Sequence, residues 1–270
     1  MNKNQEYILG VNQTELERMK FQHGVWKKYT DEFLDKTGVK TGWKCMDVGS
    51  GPGFVSAEIR DIIGDEGELT VVEPSEFYLD YFKEHCKKMK WKNIEFVNEN
   101  FENALIEKDY YDLIFLRWVI DFVKEPAAYL IKLISCLKKG GVIAIQDYVY
   151  ENISVYPIGG PVDKIADAVR DYWVSGGGDP YFAIKIPALF KKNKVELFDL
   201  TPIVRAGGPE SDLYEWANKF MSTHINLMQE KNVITKQQCN DFINDWNNRR
   251  KNPDSIFLSP LILNVIGKKL

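Results

Sequence analysis

The run K-C-M-D-V-G-S-G-P-G at residues 44–53 constrains the fold of this chain more than any other stretch. An apolar strand ending in Asp47 and Val48 enters a loop with Gly49, Gly51 and Gly53 at alternate positions. The amphipathic run Phe54, Val55, Ile59, Ile62, Ile63 then opens a helix. Glycines in such a turn take backbone angles closed to other residues and leave no Cβ between a ligand and the main-chain N–H groups. A nucleotide-like ligand can therefore come close to the backbone. A dinucleotide fingerprint wants G-x-G-x-x-G, but the position three after Gly51 is Phe54, which would obstruct the close helix–strand packing that the third glycine permits. The spacing weakens the alternative of a nucleotide-dependent oxidoreductase.

A length of 270 residues suits one large α/β domain with insertions, or a domain with a cap. The formal charge of −4 and a pI near 5.6 give no overall basic footprint, so nucleic acid is a minor candidate partner. Cys45, Cys86, Cys136 and Cys239 stand far apart with no C-x-x-C pair, as reduced thiols in a cytosolic protein do, and no metal site is expected. No N-terminal apolar run reads as a signal peptide, and no stretch of about 18 apolar residues is long enough to span a bilayer. The expectation is a soluble, cytoplasmic monomer or homodimer.

Further strand ends repeat the pattern of the first. Residues 68–73 read as a second strand ending in Glu73; an ionised carboxylate can accept from both hydroxyls of a ribose diol at once. Pro74 and Ser75 open the next helix, Ser75 as its N-cap, and Phe77, Tyr78, Tyr81 and Phe82 give it an apolar face. Residues 93–97 form a third strand, followed by Asn100 and Phe101. Residues 111–116 are a fourth, apolar enough for a sheet covered on both faces, with Arg117, Trp118 and Asp121 at its carboxyl end. After a helix carrying Leu130, Leu133, Ile134 and Leu137, the turn K-K-G-G at residues 138–141 leads into a fifth strand, 142–147.

Taken together, D-V-G-S-G-P-G, Glu73, Asn100-Phe101 and the K-K-G-G passage resemble the motifs of class I S-adenosylmethionine-dependent methyltransferases across residues 40–150. The resemblance implies an α/β, doubly wound seven-stranded sheet in the order 3-2-1-4-5-7-6 with the last strand antiparallel. Periodicity alone supports only a doubly wound α/β fold. It implies S-adenosyl-L-methionine as cofactor, with S-adenosylhomocysteine as product, held by Asp47, Gly49, Ser50, Gly51, Gly53, Glu73, Pro74, Ser75, Asn100, Phe101, Arg117 and Trp118. Residues 1–40 read as helices, with Thr14 and Glu17 at capping-box spacing. In the family such helices close over the cofactor, which makes Tyr7, Gln22, His23 and Trp26 lid candidates; core packing is the other reading of His23 and Trp26. The Asn or Asp, two prolines and aromatic that DNA amino-methyltransferases carry after the fourth strand are absent here.

Beyond Tyr150 the chain leaves the common template. Residues 161–174 and 186–192 read as helices, 195–200 as strand six, 210–250 as a helical block and 256–266 as the last strand. The expected organisation is a lid (1–40), a cofactor-binding core (41–150), cap insertions at 151–180 and 206–252, and returns to the core at 181–205 and 253–270. The expected reaction is in-line transfer of a methyl group to an O, N or C atom of a small organic molecule. His23, Asp121, Asp147 and His224 are the candidate general bases, though methyl transfer need not use one. Trp118, Trp173 and Trp216 are pocket candidates, with Tyr172, Tyr181 and Phe182 beside them. A non-catalytic cofactor-binding scaffold is the remaining alternative.

Overall fold

The computed structural model describes residues 10–151 and 153–270; Tyr7 lies outside the described residues. The first half of the chain runs α1 (Gln13–Thr37), β1 (Lys44–Val48), α2 (Phe54–Ile63), β2 (Glu68–Val72), α3 (Glu76–Met89), β3 (Ile94–Val97), β4 (Tyr111–Arg117), α4 (Pro126–Cys136) and β5 (Leu137–Val149). The second half runs β6 (Ser154–Tyr156), α5 (Ile165–Ser175), α6 (Phe182–Lys192), β7 (Val195–Ile203), β8 (Ala206–Gly207), α7 (Asp212–Glu230), α8 (Lys236–Lys251), β9 (Ile256–Leu258) and β10 (Leu261–Lys269). Among the described residues seven strands form one sheet, β3-β2-β1-β4-β5-β10-β7, with β10 antiparallel to β5 and β7. This is the order expected above, β7 and β10 being the sixth and seventh strands of the core.

Strand alternation assigns the two faces. Met46, Val48, Ile114, Leu116, Ile143 and Ile145 pack with Leu130 and Leu133 of α4 and Ile186 and Phe190 of α6. Cys45, Leu69, Val71, Leu113 and Phe115 pack with Phe33 and Leu34 of α1, Ile59 and Ile63 of α2, and Leu79 and Phe82 of α3. A third core contains Val25 and Trp26 from α1, Tyr148 and Tyr150 from the end of β5, Tyr172 and Trp173 from α5, and Tyr214 and Trp216 from α7. Helix α1 thus belongs to both a sheet layer and this third core.

Local chemistry shifted several expected boundaries. The N-cap of α1 is Asn12, whose side chain accepts from the Glu15 N–H, so Thr14 lies inside the helix. The K-K-G-G stretch does not cap α4. That helix ends at Cys136, and residues 138–141 bulge out of β5 between Leu137, opposite Tyr111, and Val142, opposite Leu113. The expected strand 256–266 is two strands, broken at Ser259 and Pro260. Its first part, β9, pairs with β6 and β8 in a small sheet that the sequence did not announce. Arg249, 7% exposed, fastens that region, donating to the Val155 and Pro157 carbonyls and pairing with Asp163 and Asp245. No helix among the described residues is long and apolar enough to cross a membrane.

Candidate active site

The strand ends β1, β2 and β4 converge because parallel neighbours share a direction, and loops at their carboxyl ends meet in one crevice. Gly49, Gly51 and Gly53 have φ of 67°, 54° and 76°, a region that L side chains rarely adopt. Side chains would also collide there. A Cβ on Gly49 would lie 2.5 Å from Val119 Cγ2, and one on Gly53 2.3 Å from the Phe82 ring. The loop is tied to β2 by the Gly49 N–H, which donates to the Val72 carbonyl at 2.8 Å.

Glu73 is the hub of the crevice. One carboxyl oxygen accepts from the Gly51 N–H and the other from the Ser75 N–H, both at 2.9 Å. These contacts join the glycine loop to the start of α3. Burial pushes Glu73 up to about 7, against the opposing pull of the Ser75 and Gly51 N–H groups. Burial likewise pushes Asp47 up to about 6, opposed by its hydrogen bond from the Ser56 hydroxyl. Beyond β3, the loop carrying Asn100 and Phe101 is pinned from beneath by Lys132 of α4. Its ammonium donates to the Phe101, Glu102 and Ala104 carbonyls at 2.5, 2.9 and 2.8 Å. Phe101 packs on Tyr129 with ring centroids 4.9 Å apart.

The turn after β4 is held by Asp147. Its carboxyl accepts from the Val119 and Ile120 N–H groups at 2.8 Å each and from its neighbour Tyr148 at 2.9 Å. This fixes Trp118 at φ 57°, a backbone conformation costing about 1–3 kcal/mol outside glycine. The Trp118 ring stacks on Tyr148 at 5.6 Å. Arg117 donates to Thr30 of α1 at 3.0 Å and meets His23 Nδ1 at 3.2 Å, while His23 Nε2 faces Glu58 at 3.3 Å. Arg117 has a proton to give, so Nδ1 accepts and Nε2–H points to Glu58. His23 therefore clamps α1 to α2 and β4.

These groups line one cavity of about 670 Å3. It contains Asp47, Gly49, Ser50, Gly51, Glu73, Pro74, Ser75, Asn100, Phe101, Arg117 and Trp118 from the expected cofactor set, and Gln22, Trp173 and Trp216 from the expected lid and pocket set. Gly53, His23, Trp26, Asp121, Asp147 and His224 are not in its wall. Gly53 instead caps α2, and Trp26 packs edge-on against Trp216 and Trp118 at 5.3 and 6.4 Å. His224 is fully buried beside Phe220. Burial pushes it down to about 3, so it stays neutral.

Asp121 is fully buried, and neither carboxyl oxygen has a well-formed hydrogen bond. Burial, then Asp147 and Asp179 nearby, push its carboxyl well above the usual range and so favour its protonated form. The sign of its effect on stability follows. The folded state keeps a proton that the unfolded chain releases above about pH 4, so folding costs more as pH rises. Asp121→Asn, neutral at every pH, is expected to raise the denaturation midpoint at about pH 7.5 and to leave it nearly unchanged at about pH 4. Equal midpoints at both pH values would show an ionised Asp121.

Several wall residues escaped the sequence reading. Arg18, buried on α1, forms a two-point pair with Glu15 at 2.7 and 2.8 Å and donates to Gln22 at 2.8 Å. The spacing E-x-x-R-x-x-x-Q places all three on one helix face, a signal that was present. The Gln22 carbonyl also accepts from the Trp216 indole at 2.8 Å, joining α1 to α7. Met19 covers the glycine loop, its methyl 2.7 Å from where a Gly51 Cβ would stand. Tyr148 and Tyr150, two apart at the end of β5, share one side of it, as strand alternation dictates.

The family model for the methyltransferase domain, Methyltransf_31, matches residues 40–175, half of the chain and every strand end in this crevice. The chain belongs to this family. Its sheet order makes it a class I, S-adenosylmethionine-dependent type of methyltransferase domain. The ubiquinone/menaquinone biosynthesis C-methyltransferase UbiE of Proteus mirabilis (strain HI4320) is 26% identical over 147 residues, 54% of this chain and 55% of that protein. The chain thus spans about half the length of the curated relatives it matches.

Two solved structures share the fold. The BH2331 protein of Bacillus halodurans C-125 aligns with a TM-score of 0.60 at 15% identity, over 88% of this chain and 97% of the other. Geranyl diphosphate C-methyltransferase of Streptomyces coelicolor A3(2), crystallised with Mg2+, geranyl-S-thiolodiphosphate and S-adenosyl-L-homocysteine, aligns at 0.57 and 12% identity, over 92% and 77%.

Proposed function

We propose that this protein transfers a methyl group from S-adenosylmethionine to an O, N or C atom of a small organic molecule. The observation that carries the reading is Glu73, a buried carboxylate at the end of β2 whose two oxygens already bridge the glycine loop and α3. Each oxygen keeps capacity to accept from a ribose hydroxyl. The glycine turn leaves room for the amino-acid end of the cofactor close to the Ser50 and Gly51 backbone. Asn100 offers an amide acceptor to the adenine amino group, with Phe101 and the Tyr78 ring beside it. Met19 and Gln22 of α1 line the site, which supports the reading of residues 1–40 as a lid. Residues 151–180 and 206–252 form the cap, while 181–205 and 253–270 complete the sheet. Buried thiols at all four cysteines fit a cytoplasmic setting.

When bound, the cofactor would supply an activated methyl group, taken by an electron pair of the acceptor O, N or C atom as the C–S pair returns to sulfur, leaving a neutral thioether. The chain's part is alignment and exclusion of water, which together supply on the order of 7–11 kcal/mol in favourable intramolecular cases. Of the four candidate bases, His23 has both ring nitrogens engaged, and Asp121, Asp147 and His224 are buried away from the cavity. This supports a mechanism in which the acceptor's proton leaves to solvent or is lost before transfer.

Calorimetric titration tests the reading. S-adenosylhomocysteine is expected to bind with micromolar affinity and NADH not to bind; the reverse result would restore the oxidoreductase alternative. Binding without turnover across a panel of small acceptors would favour the scaffold.

A further inference from the structure

The cavity has a second half, beyond the residues assigned above to the methyl donor. Its wall is aromatic and aliphatic: Trp118, Phe122, Trp173, Trp216, Phe220 and Met221 are the principal side chains. Its charges are segregated. The carboxylates in the cavity wall, Asp47, Glu73 and Glu102, come from the strand ends and loops of the cofactor half. The cap contributes no carboxylate to the wall and one cation, Lys231. Lys231 caps the carboxyl end of α7, makes no ion pair with a described residue, and lies over the Tyr172 ring at 5.7 Å. Trp216, bonded through Gln22 to Arg18, is fifteen positions earlier on the same helix, roughly 22 Å at 1.5 Å per residue. The aromatic half of the cavity therefore runs along α7 between the Arg18–Glu15 ion pair and the Lys231 ammonium.

On its wall the buried Trp118 and Trp173 indole N–H groups and the Tyr150 hydroxyl lack a hydrogen-bond partner among the described residues. Tyr150 is 5% exposed, lines the cavity, and its hydroxyl makes no hydrogen bond with a described residue. Its ring is fixed against Tyr148 at 5.4 Å and Trp173 at 5.9 Å, and its backbone by the Pro180 carbonyl and the Arg170 guanidinium. A hydroxyl held rigidly on a cavity wall, with no partner among the described residues, is free to bond a molecule bound in that cavity. Burial pushes this hydroxyl above its ordinary range, with a smaller opposing pull from Arg18, so it stays protonated and able to donate.

We propose that the cap half binds a flat, apolar carboxylate as methyl acceptor, the Tyr150 hydroxyl donating to the carboxylate and Lys231, the cap's one wall cation, favouring its charge. Aromatic walls select a flat apolar body. The absence of acids among the cap's wall residues and the Lys231 ammonium select against a cationic amine. This rests on the reading of the Glu73 half as the methyl donor's site.

The test uses two isosteric probes of opposite charge, 2-naphthoate and 2-naphthylmethylammonium, titrated into the full-length protein with and without saturating S-adenosylhomocysteine. The naphthoate is expected to bind at least tenfold more tightly than the ammonium in both conditions. Tyr150→Phe is expected to lose about tenfold in naphthoate affinity, a single charge-assisted hydrogen bond, with the affinity for S-adenosylhomocysteine unchanged as proof of an intact fold. Lys231→Gln is expected to weaken the naphthoate and not the ammonium. Equal binding of the two probes, preference for the ammonium, or naphthoate binding by Tyr150→Phe at the wild-type level would overturn the proposal. Failure of S-adenosylhomocysteine to bind, with the naphthoate preference intact, would instead overturn the cofactor reading alone.

Discussion

Replacing Glu73 with Ala is expected to weaken binding of S-adenosylhomocysteine a hundredfold or more. Two hydrogen bonds from ribose hydroxyls to an ionised carboxylate are worth about 1.5–3 kcal/mol each, and about 2.7 kcal/mol already corresponds to a hundredfold. The substitution also frees the Gly51 and Ser75 N–H groups, so the loop that the ligand meets loses its preformed shape. A pH signature should accompany the loss. The Glu73 carboxyl is pushed up to about 7 by burial. A ligand that prefers the ionised form therefore gains affinity as pH rises through 7 and stops gaining above it. Titrations at about pH 6, 7 and 8, in buffers of differing ionisation heat, should show a proton released on binding at the lowest pH. Glu73→Ala should show a flatter profile across the upper part of that range, since Asp47, pushed up to about 6, titrates lower. Unchanged affinity in the variant would remove the ribose assignment.

The sheet and its strand-end motifs were legible because their signals are local. A strand ending in an acid, a glycine turn with its spacing, and a Ser at a helix start each act on their own neighbours in sequence. What was not legible depends on contacts across the chain. Gln22 joins Trp216, 194 positions away, and Arg205 reaches the Val25 carbonyl, 180 positions away; no periodicity announces such pairings. The small β6-β9-β8 sheet escaped for the same reason, since each of its strands is two or three residues long and has meaning only beside the others. Candidate bases were the least legible. Asp121, Asp147 and His224 differ from a usable base only in the direction their side chains face, and residue type alone does not contain that. Conversely, the helix period does place Arg18 beside Gln22, a residue already chosen.

Asp147 shows the difference most sharply, and Asp147→Ala is expected to be among the most destabilising single substitutions near the site. The carboxyl is fully buried and accepts from three backbone N–H groups. Each such donor left without a partner costs about 1–3 kcal/mol, so a loss of about 3 kcal/mol or more is expected, a fall in denaturation midpoint on the order of 10 °C. Asp147→Asn should lose less, because its amide oxygen can still accept from Val119 and Ile120 while its NH2 turns toward the Tyr148 N–H. A general base would give the opposite pattern: turnover abolished in Asp147→Asn with stability retained, and Asp147→Ala no less stable than the wild type. The turn at stake carries Trp118 in a left-handed conformation, held also by its N–H to the Gln146 carbonyl and its stacking on Tyr148. Its release should therefore also weaken S-adenosylhomocysteine binding, even though Asp147 itself lies outside the cavity wall. Stability and affinity falling together in Asp147→Ala, and both largely kept in Asp147→Asn, would identify the carboxylate as the support on which the cofactor's side of the site is built.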